Sequence, residues 1–287
     1  MVPAPAASRR KDMAYAVALL LITGVVFWPA ARWLASQAFA REQLKQSALI
    51  LILAGAWIAW EKRHALRVNL QLSNTTLGWF LASYALAAGA IFLKTPILIL
   101  AGLAAAAAAA VNYVYGGQAF RRTFPLLSVF ALFILCVLLF PVLDWPLRQM
   151  AGIEAARFLK SVGLASQLVV NRYPEIKLLL VTDKQSFVVA TECNGFGLIT
   201  SSLLLGTILL LYRRARWWRY LLLLPLCVAV AFVFNFLRIS AIVLLAPRFP
   251  NHYSLLHETA GLIALYAGLA LVWLMTGVRS RASSVTS

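Results

Sequence analysis

Apolar side chains fill this chain in long runs separated by short polar stretches. A helix needs about 20 apolar residues, at a rise of about 1.5 Å each, to cross the hydrocarbon of a bilayer. Eight runs qualify as spans, at approximately residues 13–33, 46–60, 75–93, 95–115, 125–143, 196–212, 220–246 and 258–276. The second is short, and an earlier start near Glu42 would lengthen it. The third and fourth meet at Lys94-Thr95-Pro96, where the proline ends the preceding helical pattern and predicts a tight hairpin. The fourth carries an alanine tract, Ala104 to Ala110. Small side chains let helix backbones approach closely in lipid, so this span is expected to be buried against its neighbours.

One connection, residues 144–195, is too long to be a plain loop. Apolar residues at Ile153, Ala156, Leu159, Val162 and Leu164 predict an amphipathic helix over Ile153–Gln167, lying along the membrane surface. Two β-rich runs, Lys177 to Thr182 and Ser186 to Thr191, flank Asp183-Lys184-Gln185 and predict a hairpin. Its second strand leads into Glu192-Cys193-Asn194-Gly195 and then into the sixth span. The expected fold class is therefore all-α integral membrane, with about eight transmembrane helices and a small extracytoplasmic helix-plus-β-hairpin insertion. The expected division is a four-helix N-terminal region, 1–124, and a second membrane region, 125–287. There is no repeat period, and Ser280 to Ser287 is expected to be disordered.

Charge fixes the expected orientation. Only 12% of residues are charged against 62% hydrophobic, and the net charge is +17. A soluble domain carries about twice that charged fraction. A strong positive charge in a soluble protein would suggest nucleic acid, but here it sits in short loops, with no basic stripe interleaved with aromatics. Nucleic acid is therefore not an expected partner, whereas anionic lipid headgroups are. Eight spans place both termini on one side. The ends and loops on that side hold fourteen basic residues and the opposite short loops five, so the first set is expected to be cytoplasmic. The run from Met13 to about Ala31 follows Arg9, Arg10 and Lys11 and is long enough to stay as a helix, so no cleaved leader is expected.

Few side chains are left to carry chemistry. Cys136 and Cys227 lie deep in apolar runs. No His, Asp, Glu or Cys cluster has ligand spacing, so no metal or other cofactor is expected. Cys193 stands between a strand and a helix start, with Gly195 and Gly197 permitting a tight turn. Helix N-termini favour a thiolate, and their N–H groups can hold an oxyanion. Arg238, in Asn235-Phe-Leu-Arg238-Ile-Ser240, is eighteen residues from Tyr220. At 1.5 Å per residue that is about 27 Å, near the outer interface and level with Cys193, with Asn235 one turn earlier on the same face. An arginine inside a span costs roughly 3 kcal/mol unless paired, so intramembrane charge is read as functional by default. His257 begins the eighth span and can act as base and then acid. His252 ranks second as the base, being in a loop beside prolines, and His64 falls on the cytoplasmic side. A thiol, a guanidinium and an imidazole at one depth can perform acyl transfer. Glu192 is left outside the catalytic set because a carboxylate beside the thiol opposes its ionisation.

These residues resemble the exosortase/archaeosortase family of multipass membrane enzymes. The resemblance rests on Glu192-Cys193-Asn194-Gly195, on Asn235-Phe-Leu-Arg238-Ile and on His257 followed by Gly261, and covers roughly residues 125–276. Asn194 stands where the family more often has a small residue such as Ser or Ala. The resemblance implies a cysteine peptidase or transpeptidase acting on exported proteins. Their C-terminal sorting tail would carry a Pro-Glu-Pro-like (PEP-CTERM) motif, an apolar helix and a basic cluster. It implies Cys193 as nucleophile, His257 as base and acid, and Arg238 as the group that stabilises the oxyanion or polarises the thiol, with Asn194, Gly195 and Asn235 in support. It also implies water or an envelope amine as acceptor, and a site on the outer face of the bacterial inner membrane. Two other readings stay open: a thiol acyltransferase of the outer leaflet, and a non-enzymatic transport or assembly factor for envelope polymers.

Overall fold

The computed structural model describes residues 6–61, 63, 70, 72–171, 176–182 and 186–277. The expected hairpin turn at Asp183–Gln185, the tail Ser280–Ser287 and His64 lie outside the described residues. Among the described residues, seven α-helices and three strands follow in the order α1 (Ala6–Ala40), α2 (Glu42–Glu61), α3 (Asn74–Leu93), α4 (Pro96–Ser161), β1 (Ser166–Asn171), β2 (Lys177–Thr182), β3 (Ser186–Val188), α5 (Phe196–Tyr212), α6 (Trp217–Leu245) and α7 (Tyr253–Gly277). α4 is two helices joined at a kink, where Gly116 has φ 76° and ψ 171°. A residue with side chain would resist that backbone. Counting the two halves of α4 separately gives a helix for every expected span. Among the described residues, six stretches are long and apolar enough to cross a membrane, and α5 is a shorter apolar helix. Large apolar side chains stand exposed along the helices, such as Val25, Phe92, Trp217 and Leu221. That outward greasiness is what lipid requires and water would penalise. The protein is a multipass, all-α membrane protein with a small sheet.

The chain forms two compact units. One comprises Met1–Arg41 and Leu51–Leu138, the other Glu42–Ile50 and Leu139–Ser287. In the first, the alanine tract is buried as its composition suggested. Ala106 packs with Phe27 and Ala87, and Ala109 with Ala16, Phe80 and Tyr113. The Lys94 hairpin forms with Lys94 at φ 51°, after which the helix resumes at Pro96.

In the second unit, the polar insertion differs from the sequence expectation in two respects. The helix does not stop near residue 143. It continues to Ser161, because Asp144 pairs with Arg148 one turn later and so remains inside the helix. The apolar positions that suggested a separate surface helix are its last turns. It ends at Gly163 (φ 87°), where Leu164 N–H reaches Leu159 C=O and Gly163 N–H reaches Lys160 C=O. That is a Schellman stop, and it sends Leu164 to Gln167 out of the helix. The second difference is an extra strand: the sheet is three-stranded and antiparallel, in the order β1-β2-β3. Its inner face, with Leu178, Leu180 and Phe187, packs on Ala151, Ala155 and Leu159 of α4 and on Ile239 and Val243 of α6. This core also contains Cys193. The sheet is thereby fastened to two helix ends, and the chain leaving β3 is delivered to the start of α5.

α5, α6 and α7 pack together through small and branched residues, among them Leu198, Ala231, Ala264 and Leu265. The first turns of α2 lie against α5. Ser47 and Ser201, both fully buried, share a 2.9 Å hydrogen bond. A Cβ on Gly197 would meet the Gln43 carbonyl at 2.8 Å, so only glycine allows this approach.

Candidate active site

Cys193 ends a 3-10 turn, Thr191–Cys193, between β3 and α5. Three contacts hold the peptide around it. Asn235 of α6 donates through Nδ2 to the Cys193 carbonyl at 3.0 Å. Asn194 Oδ1 accepts the Phe196 N–H at 2.8 Å, and Asn194 Nδ2 donates to Asp144 Oδ1 at 2.6 Å. Asp144 is also paired with Arg148. Gly195 sits at φ 75°, and a Cβ there would come within 2.8 Å of the Asn235 side chain. The turn is therefore both left-handed and crowded, a combination that glycine tolerates. Asn194 and Asn235 are 0% and 1% exposed, so each hydrogen bond is made away from solvent and each would be costly to lose.

The three expected catalytic side chains come together. Cys193 Sγ lies 3.7 Å from His257 Nε2, and Arg238 Nη2 lies 3.3 Å from the same nitrogen. His257 is in the first turns of α7, and Arg238 is one turn beyond Asn235 on α6. A guanidinium only donates hydrogen bonds. As a hydrogen bond, the Arg238 contact requires Nε2 as acceptor, which corresponds to the Nδ1–H tautomer, the one able to take a proton from the thiol. Gly261, one turn after His257, leaves room for the arginine: a Cβ there would be 3.2 Å from Arg238 Nη2 and 3.3 Å from its Cζ. Cys193 is buried, at 9% exposure.

Two clefts meet at the imidazole. One, of about 540 Å³, lies between the first turns of α2 (Glu42, Gln43, Gln46) and the Arg238, His257 and Gly261 face. The other, of about 610 Å³, runs beside β3 and is bounded by Ser186, Val188, Cys193, Tyr253, Ser254 and His257. His252 lies in the turn Pro250–His252 before α7, and the imidazole that meets the sulfur is His257. Of Glu192 only the backbone is described. Among the described residues no group of three or more His, Cys, Asp or Glu could hold a metal ion.

Sequence reasoning missed Asp144 and the α2 residues at the first cleft. Asp144 was visible as a carboxylate four residues before Arg148 in an apolar helix, but its bond to Asn194 spans 50 positions and has no local signature.

Comparison with known proteins adds one finding. The family model for transmembrane exosortases matches residues 39–274. No curated protein and no solved structure matches the chain. The match begins well before residue 125, where the motif-based resemblance started, and takes in α2 with its cleft-lining turns. Membership of this family carries a general role in membrane protein sorting or transpeptidation. A match over most of the chain, which takes in the turn that carries Cys193 and the helices that carry Arg238 and His257, means that the protein belongs to the transmembrane exosortase family.

Proposed function

We propose that this protein is a cysteine peptidase or transpeptidase of the bacterial inner membrane. It removes the C-terminal sorting tail, of Pro-Glu-Pro type, from exported proteins at the outer face. The observation that carries this reading is the shared nitrogen: the Cys193 thiol and the Arg238 guanidinium both lie on His257 Nε2, at 3.7 and 3.3 Å.

The chemistry follows from that sharing. One lone pair cannot serve two donors fully. When a scissile carbonyl enters, its developing oxyanion draws the guanidinium away from the ring, and the thiol takes the lone pair. The sulfur bonds to the carbonyl carbon as its proton passes to Nε2. Arg238 donates to the oxyanion, with a charge-assisted bond that strengthens as negative charge develops. Collapse breaks the C–N bond, and His257 returns the proton to the leaving amine. The exported protein is then held as a thioester on Cys193. Water or an acceptor amine attacks that carbon, gives a proton to Nε2, and the thiolate leaves and is reprotonated. Asn235 and Asn194 position the cysteine peptide throughout.

The test is a Cys193→Ala variant co-expressed with a reporter protein bearing a Pro-Glu-Pro motif, an apolar helix and terminal arginines. Cleavage is expected to fall at least 10³-fold, with full-length reporter accumulating. Undiminished cleavage would remove the cysteine from the mechanism.

A further inference from the structure

We infer that the outer edge of β3 is the docking strand for the peptide to be cut, paired with it in parallel so that the peptide runs toward Cys193. The inference rests on the reading of Cys193 as nucleophile and adds how its substrate is held.

Among the described residues, in the order β1-β2-β3, β3 has a partner on one side only. Val189 N–H donates to Leu178 C=O of β2 at 2.8 Å. Backbone groups in an antiparallel ladder face the partner at every second residue. With Val189 facing β2, Phe187 faces it as well, and the backbone groups of Ser186 and Val188 point to the open side. The Val188 carbonyl accepts the Ala190 N–H at 3.0 Å and is thus engaged. What the open edge offers toward the cysteine is the Val188 N–H and the Ser186 C=O.

That pair suits a parallel strand. A residue in a parallel strand opposite Phe187 gives its N–H to the carbonyl before Phe187 and receives the N–H after it. An antiparallel guest takes both groups from a single residue. The Val188 carbonyl already accepts the Ala190 N–H, so the residue with both groups uncommitted is Ser186, at the end of the strand remote from the sulfur. The parallel direction also matches the chemistry. A guest running with β3 moves toward Cys193 as its residue numbers rise. The attacked carbonyl then lies downstream of the docked residue, as removal of a C-terminal tail requires. The cleft of about 610 Å³ is lined by Ser186 and Val188 of the strand, by Tyr253 and Ser254, and by Cys193 with His257. An extended peptide is the occupant that such a strand-sided channel accepts. A Pro-Glu-Pro segment carries one N–H in three residues, and this edge accepts one at that register.

The experiment compares Val188→Pro with Val188→Ala in the full chain reconstituted in lipid. The probe is a synthetic peptide containing Pro-Glu-Pro, an apolar helix and arginines. Proline deletes the N–H on the open side of an edge strand, where the ladder to β2 is not involved; alanine keeps it. The expected result is a KM about tenfold higher for the proline variant than for the alanine variant, with kcat within about twofold. A second arm leaves the enzyme unaltered and N-methylates the glutamate of the peptide, deleting the N–H offered to Ser186; a similar rise in KM is expected. The second arm decides if Val188→Pro does not fold. Equal KM values for methylated and unmethylated peptide overturn the docking mode. Cleavage that survives Cys193→Ala overturns the underlying reading instead, so the two failures are distinguishable.

Discussion

Gly195 and Gly261 are both defined by what a methyl group would strike. At Gly195 it would strike Asn235 at 2.8 Å, in a backbone at φ 75°. Gly195→Ala is expected to break the bond from Asn235 to the Cys193 carbonyl and to destabilise the protein by about 1–3 kcal/mol, read as a lower melting temperature in detergent. Gly261→Leu acts differently. Its side chain would enter the space of the Arg238 guanidinium while leaving the Cys193 peptide intact. Here kcat is expected to fall about 10²-fold with little change in melting, because the loss is confined to oxyanion stabilisation. The sequence announced the thiol, the guanidinium and the imidazole because each is a polar group at the end of an apolar run. Asn235 was legible from its i, i+3 relation to Arg238. The hydrogen bonds of Asn194 and the identity of their partner were not, because tertiary pairing of buried polar groups leaves no periodicity.

At the scale of elements, Asp144 ties the long helix α4 to the start of α5 through Asn194, while holding Arg148 on its own helix. Its side chain is 14% exposed, and removing it would leave an amide and a guanidinium without their acceptor. Asp144→Ala is expected to cost about 2–3 kcal/mol, toward the low end for a buried partner because the pair is not fully enclosed. Asp144→Asn, which keeps an acceptor oxygen for Asn194, should recover part of both melting temperature and turnover; equal defects in the two variants would mean that the bond to Asn194 carries no weight. Most helix ends were readable in the sequence to within about five residues, since lipid demands unbroken apolar length, whereas α1, expected over 13–33, runs from Ala6 to Ala40. The continuation of α4 past residue 143 was not readable, because a charged residue ends a hydropathic run without ending the helix. β1 was hidden for a related reason: its register with β2 pairs residues from Asn171–Lys177 outward to Ser166–Thr182, across a connection with no strong turn signature.

At the scale of the whole molecule, charge and span count predict one orientation, with Arg213, Arg214, Arg216 and Arg219 in the cytoplasm and the sheet outside. Single cysteines at Arg216 and Lys177, placed in a chain whose own cysteines are replaced, test it. The first should react with an impermeant maleimide only after the membrane is opened, and the second in intact spheroplasts. The reverse pattern would put the catalytic group in a compartment that exported proteins have left.

α5 has 17 residues and so measures only about 26 Å, short of the roughly 30 Å thickness of bilayer hydrocarbon. If α5 crosses the bilayer, its Cys193 end is expected to sit in a dimple, reached either by thinning the surrounding lipid or by descending from the surface. Ions are poorly tolerated at such a depth, so a neutral alkylating agent should modify this thiol much faster than an anionic one of equal size. A substrate anchored by its own helix arrives there by lateral diffusion, whereas a dissolved peptide must first abandon bulk water.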